Sequence, residues 1–171
     1  MNNRDHKNFQ KGNYYHVYNR GNNKNPVFLD EEDFKVFLFF AKEAFYPEFI
    51  TKKHRRKILA KDSFGLVCYC LMPNHYHFII EQKTEIPITK VIVKICTSYS
   101  KYFNKKYSSV GHLFQDKFKS VLIESNEQLR LVFDYIHNNP KEAGLVNNIS
   151  DWKWSSYSKV PEFTMSDIVI L

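Results

Sequence analysis

Cysteine is scarce in this chain: among 171 residues only Cys68, Cys70 and Cys96 carry a thiol. An odd number with no Cys-x-x-Cys spacing argues against a disulfide framework or a zinc ribbon. A secretory signal peptide, an apolar stretch long enough to cross a bilayer, an internal repeat and a low-complexity segment are also missing. Together these absences point to a protein of a reducing cytoplasm. Acidic residues are outnumbered, with 18 Asp and Glu against 25 Lys and Arg, which leaves a formal net charge of +7. Aromatic residues are abundant, with fifteen Phe and eleven Tyr, and hydrophobic residues make up 43%. That is enough for one full core, so a single domain over residues 1–171 is expected, with an ordered part from about 13 to 158, a polar N-terminal tail over 1–12 and an irregular C-terminal tail. Basic charge beside many rings suits nucleic acid, because cations neutralise phosphates and rings stack on bases.

The most informative stretch is Tyr69-Cys70-Leu71-Met72-Pro73-Asn74-His75-Tyr76-His77-Phe78-Ile79-Ile80. Met72-Pro73-Asn74 reads as a tight turn between strands at Leu66–Leu71 and His75–Glu81. Strand side chains alternate, so His75 and His77 project together from one exposed face while Tyr76, Phe78 and Ile80 enter a core. Two imidazoles on one face can share a divalent cation with coordination positions left open. By the same alternation Cys68 and Cys70 share a face and read as small packing residues.

The remaining elements follow from periodicity. Asn13–Asn19 is β-rich; Asp30–Tyr46 has an acidic first turn and an apolar stripe, with Pro47 after it. Pro87–Tyr107 repeats Ile88, Val91, Ile92, Ile95, Tyr99 and Tyr102 at helical spacing, and Lys90, Lys94, Lys101 and Lys105 form a stripe opposite them. Phe118–Glu124 reads as a strand, and Ser125 followed by Gln128 as a capping box that opens a helix stopped by Pro140. Lys52-Lys53-His54-Arg55-Arg56-Lys57 is a basic run that serves equally as a solvated loop or as a phosphate-contacting arm. The chain ends on the apolar run Ile168–Leu171 without a terminator, as a chain with a longer natural C-terminus would. The order strand, helix, strand, strand, helix, strand, helix is α+β: a ferredoxin-like (RRM-like) βαββαβ sandwich with one helix appended.

That appended helix carries the second concentration of chemistry, Asp134-Tyr135-Ile136-His137-Asn138-Asn139-Pro140. Tyr135 and Asn139, four apart, share a helix face. A tyrosine hydroxyl can attack phosphorus and an asparagine carbonyl suits a magnesium-like ion. Taken alone, however, Tyr135 reads as a half-buried aromatic and Asn139 as a helix terminus. A free phenol titrates at about 10. No base for it is evident, since His137 lies roughly 200° around the helix from Tyr135.

His75-Tyr76-His77 after Met72-Pro73-Asn74, with Tyr135 and Asn139-Pro140 downstream, resembles the single-tyrosine HUH transposases, in particular the REP-associated tyrosine transposases. Tyr15-His16-Val17-Tyr18-Asn19-Arg20-Gly21, Gly111-His112-Leu113-Phe114-Gln115 and Trp154-Ser155-Ser156-Tyr157 fit the same family, so the likeness runs from about Tyr14 to Tyr157. It implies an enzyme that cuts and rejoins single-stranded DNA beside a hairpin flanked by palindromic repeats, as a monomer or a homodimer, associated with the nucleoid of a bacterial cell. His75, His77 and Asn139 would bind Mg2+ or Mn2+; elsewhere in the superfamily a Gln is the alternative to this Asn. Tyr135 would attack the scissile phosphate to give a 5′-phosphotyrosine and a free 3′-hydroxyl. Arg20, Lys52, Lys53, Arg55, Arg56, Lys57, Lys90, Lys94, Lys101, Lys105, Lys117 and Lys119 are the candidate DNA contacts. A non-catalytic single-strand-binding module built on an RRM-like sheet is the alternative. A metal-dependent hydrolase of small phosphoesters is a third reading, which the basic charge disfavours.

Overall fold

The computed structural model describes residues 8–47 and 59–157. The basic run at 52–57 and the apolar run at 168–171 lie outside the described residues. Seven main elements appear in the expected order: β1 (Tyr14–Arg20), α1 (Glu31–Phe45), β2 (Phe64–Met72), β3 (His75–Gln82), α2 (Thr89–Lys106), β4 (Lys119–Ile123) and α3 (Asn126–Glu142). The strands form one sheet in the order β2-β3-β1-β4, each neighbouring pair antiparallel. This is the mixed α+β, ferredoxin-like arrangement expected from the element order.

Two cores follow from strand alternation. Tyr15, Val17, Tyr69, Leu71, Tyr76, Phe78 and Ile80 bury one sheet face against Phe34 and Phe37 of α1 and Ile92, Ile95 and Tyr99 of α2. On the other face Cys68, Cys70, Met72, Ile79 and Ile123 meet Leu129, Phe133 and Ile136 of α3. A bulge between Leu66 and Cys68 changes which residues face which core, so that Val67 and Cys68 both point towards α3. The face that carries His75 and His77 is therefore roofed by α3 and is not an open surface. Position 77 is only 5% exposed, which corrects the expectation of an exposed pair.

Helix ends are set by identifiable caps. Asp30 and Asp33 form a reciprocal capping box at the start of α1. At α3 the Ser125 hydroxyl accepts from Gln128 N–H (3.1 Å), but Gln128 Oε1 accepts from Glu124 N–H (2.8 Å), one residue earlier than a capping box requires. Pro140 does not stop α3, which runs on to Glu142. The stop is Gly144, at φ +68°: Gly144 N–H bonds to Lys141 O and Leu145 N–H to Pro140 O, the two bonds of a Schellman motif. A proline this close to the end deprives the helix of one hydrogen bond, and the helix tolerates the loss.

The segment after α3 does more than trail away. Leu71 N–H donates to Trp154 O (2.9 Å), Ser156 N–H to Tyr69 O (3.0 Å), and Trp152 Nε1–H to Leu71 O (2.9 Å), so residues 152–156 run along the outer edge of β2. His137 Nε2 lies 2.9 Å from Ser156 Oγ, which ties α3 to the same edge.

Candidate active site

The geometry starts at the β2–β3 turn. Met72 pairs with His75, so only Pro73 and Asn74 make the turn. Three stretches brace it. Pro73 O accepts from Val27 and Phe28 N–H, Asn74 O accepts from Gly21 N–H (2.8 Å), and the Asn74 side-chain amide donates to Lys24 O (3.1 Å). Position 21 has room for nothing but glycine, since a Cβ there would sit 2.1 Å from Asn25 O. On the far side Asn22 N–H donates to Leu113 O and Gln115 N–H to Arg20 O, both 2.8 Å. The end of β1, the turn and the 113–115 segment are thus one hydrogen-bonded unit, with the histidines leaving it on a fixed strand.

Register then assembles the cleft. On β1, Tyr18 lies opposite His77 and Arg20 opposite His75. His75 Nδ1 meets Asn74 Oδ1 at 2.6 Å, and the Asn139 side chain lies beside the same ring. His77 Nδ1 meets His16 Nε2 at 2.9 Å, whereas His77 Nε2 is buried with no hydrogen-bond partner. The two rings stand 5.0 Å apart between centroids at 84°. From the roof, Tyr135 of α3 brings its ring to 5.9 Å from His77 and 6.2 Å from His16, edge to face with both, while remaining 55% exposed. One turn further on, Asn139 Nδ2 donates to Tyr135 O (2.7 Å), which leaves the carboxamide oxygen to serve the His75 side.

Burial governs the protonation of this cluster. It lowers His16 to about 4. It lowers His75 to about 4 as well, helped by the Arg20 charge and opposed by the neighbouring Asn139 side chain. His77 is held far below the ordinary histidine range by burial and then by His16, His75 and Arg20. At neutral pH the three imidazoles are uncharged, so each has a nitrogen lone pair to offer.

Arg20, His75, His77, Lys117, Lys119, Tyr135 and Asn139 line a single cleft of about 1090 Å³, together with Tyr18, Asp116 and Glu142. The lysine stripe lies elsewhere. Lys90, Lys101 and Lys105 are exposed on α2, across the sheet from the histidines, and Lys94 is half-buried. Lys101 lines a second, more apolar cleft of about 700 Å³ that meets the first at Asn19, Asp116 and Lys117. His137 is buried against Ser156, turned away from the face of Tyr135 as its helical offset predicts. Among the described residues no three of His, Cys, Asp or Glu gather as a metal cluster, and the donor beside the two imidazoles is the Asn139 carboxamide. His16 and Asn74 are the contributors that sequence reasoning left without a role. The signal for His16 is its place two residues before Tyr18 on β1, which means something only once β1 is paired with β3.

The sheet, the roofing helix and the cleft between them place the chain with the tyrosine transposases in fold. A solved REP-associated tyrosine transposase bound to a REP hairpin matches with a TM-score of 0.65 at 18% identity, over 94% of this chain and 85% of that one. The chain belongs to the IS200-like transposase family, whose model, Transposase IS200 like, matches residues 10–139. It is also similar to a Haemophilus influenzae protein named as a REP-associated tyrosine transposase, at 28% identity over 110 residues that take in 56% of this chain. The chain spans about 60% of the length of that relative. Among the described residues no helix is long and apolar enough to cross a membrane.

Proposed function

We propose that this chain cleaves and rejoins single-stranded DNA next to a hairpin, with Tyr135 as the nucleophile and His75, His77 and Asn139 as the protein ligands of a divalent cation. The observation that carries the reading is the buried, unpartnered Nε2 of His77, a residue of the cleft lining, with the exposed Tyr135 ring 5.9 Å away between centroids. An unsatisfied buried nitrogen costs on the order of 1–3 kcal/mol, and a metal site is one reason for a fold to keep it. The donor set, two neutral imidazoles and a carboxamide oxygen, fits a first-row cation such as Mn2+ better than Mg2+, which prefers an all-oxygen shell. When bound, the cation would supply charge stabilisation at a non-bridging phosphate oxygen.

The chain's own residues account for the rest of the reaction. Arg20, Lys117 and Lys119 give the cleft a cationic lining for the DNA backbone. The Tyr135 hydroxyl attacks phosphorus and loses its proton. The bond from phosphorus to the 3′-oxygen breaks, the 3′-oxygen takes up a proton, and a 5′-phosphotyrosine remains. Attack by a 3′-hydroxyl on that ester reverses the sequence and joins strands. The short reach between α3 and β3 replaces an encounter with a held geometry. The likeness to a hairpin-bound transposase supports the choice of substrate. The single-strand-binding alternative needs an open sheet face with exposed rings, and here α3 packs over that face.

The test is incubation with a hairpin-bearing single-stranded DNA and Mn2+, followed by denaturing electrophoresis. A covalent protein–DNA adduct is expected from the wild type and none from Tyr135→Phe. An adduct that survives this substitution, or no adduct from the wild type, would overturn the reading.

A further inference from the structure

The two imidazoles assigned to the cation are held in parallel ways. Each has its Nδ1 occupied by a neighbour, Asn74 Oδ1 for His75 and His16 Nε2 for His77, so both Nε2 atoms are left for a common ligand. The neighbours differ in one respect. A carboxamide oxygen can only accept, so it fixes the proton of His75 on Nδ1; an imidazole nitrogen can donate or accept, so the proton between His16 and His77 has two placements. If His16 donates, the proton of His77 moves to Nε2, where it is buried, has no acceptor and blocks coordination. If His16 keeps its own proton on Nδ1, His77 is the donor and its Nε2 carries a lone pair.

We infer that His16 is a positioning residue for the cation site: it accepts from His77 Nδ1–H and so holds His77 in the tautomer and ring orientation that present Nε2 to the metal. This rests on the metal-site assignment proposed above. The packing around His16 supports it. The His16 ring stacks with His77 at 5.1 Å and 22°, and lies 5.0 Å from Tyr18, which itself stacks on His77 at 5.6 Å. His16 is 8% exposed, so water does not compete for the shared hydrogen bond. Partners behind a metal-bound histidine fix its tautomer and raise its basicity, and their loss typically weakens metal binding about 10–100-fold.

Mn2+ binding to the full chain without DNA, followed by calorimetry, separates this inference from the reading beneath it. His77→Ala is expected to abolish binding, and His16→Leu to weaken it about 10–100-fold. His16→Gln, whose side-chain oxygen can reach the place of Nε2 and accept, is expected to bind within a few-fold of the wild type. Unchanged binding in His77→Ala would overturn the site itself. Loss in His77→Ala with wild-type binding in His16→Leu or none in His16→Gln would overturn only the role of His16. Independently of any variant, 15N NMR of the unsubstituted metal-free protein should find His77 protonated on Nδ1 and bare on Nε2; the reverse tautomer would overturn the inference.

Discussion

Tyr135 and His77 meet edge to face, 5.9 Å between ring centroids and 85° between planes, across the seam where α3 lies on β3. The phenol gains little burial from this approach, since more than half of its surface stays open. Tyr135→Phe should therefore leave the thermal midpoint within a degree or two of the wild type while removing the DNA adduct. Differential scanning calorimetry beside the adduct assay checks both; a large loss of stability would show that the hydroxyl is structural.

Gly21 is the close-approach point of the unit that carries the histidine turn. Gly21→Ala forces a Cβ against Asn25 O and Val27 Cγ1. Overpacking against backbone should cost about 1–3 kcal/mol, read as a lower urea midpoint.

Ser156 is a hub, accepting from Tyr69 N–H (3.0 Å) and facing both Tyr69 O and His137 Nε2. Ser156→Ala leaves buried polar groups on β2 and α3 without a partner, so stability should fall by about 2–3 kcal/mol in chemical denaturation. Ser156→Thr, which keeps a hydroxyl, should lose less.

Acid should unfold this protein through its histidines. Burial lowers His16 and His137 to about 4, against an ordinary 6.5. Between those values the unfolded chain binds protons that the folded chain refuses, so stability falls as pH drops from about 7 towards 4 and is insensitive to these groups above 7. Each group accounts for roughly 3 kcal/mol at the acid end. Urea titrations at pH 7, 6 and 5 should show this decline, and His137→Gln should flatten part of it.

Cleft cations should act through phosphates. Lys117→Ala should weaken hairpin DNA binding across unrelated sequences and reduce the slope of log affinity against log salt by about 1. Lys90→Ala, across the sheet from the histidines, should leave that slope unchanged if the DNA occupies the His75–Tyr135 cleft. Fluorescence anisotropy at several salt concentrations distinguishes the two.

The elements were legible because their signals are local: the alternation through His75–Ile80, the apolar repeat of α2 and the Ser125 cap each lie within a few residues. What lay beyond reach depends on pairing or coverage. That α3 roofs the histidine face follows from which stripe finds which sheet face, and no short window states it. Proline's local preference overstates Pro140 as a stop, because the motif at Gly144 is what ends the helix. Tyr135, Asn139 and the His75–His77 pair come together as the motif order suggested, whereas Lys90, Lys94 and Lys105 line neither cleft, because a stripe specifies a helix face and not the layer that helix joins.

The strip formed by residues 152–156 has a consequence for association. With that segment hydrogen-bonded to Tyr69 and Leu71, the C-terminal half of the β2 border is already covered, whereas among the described residues no strand pairs with the outer side of β4. Among the described residues, an added strand from a twin subunit or an extended peptide meets no such covering segment along β4.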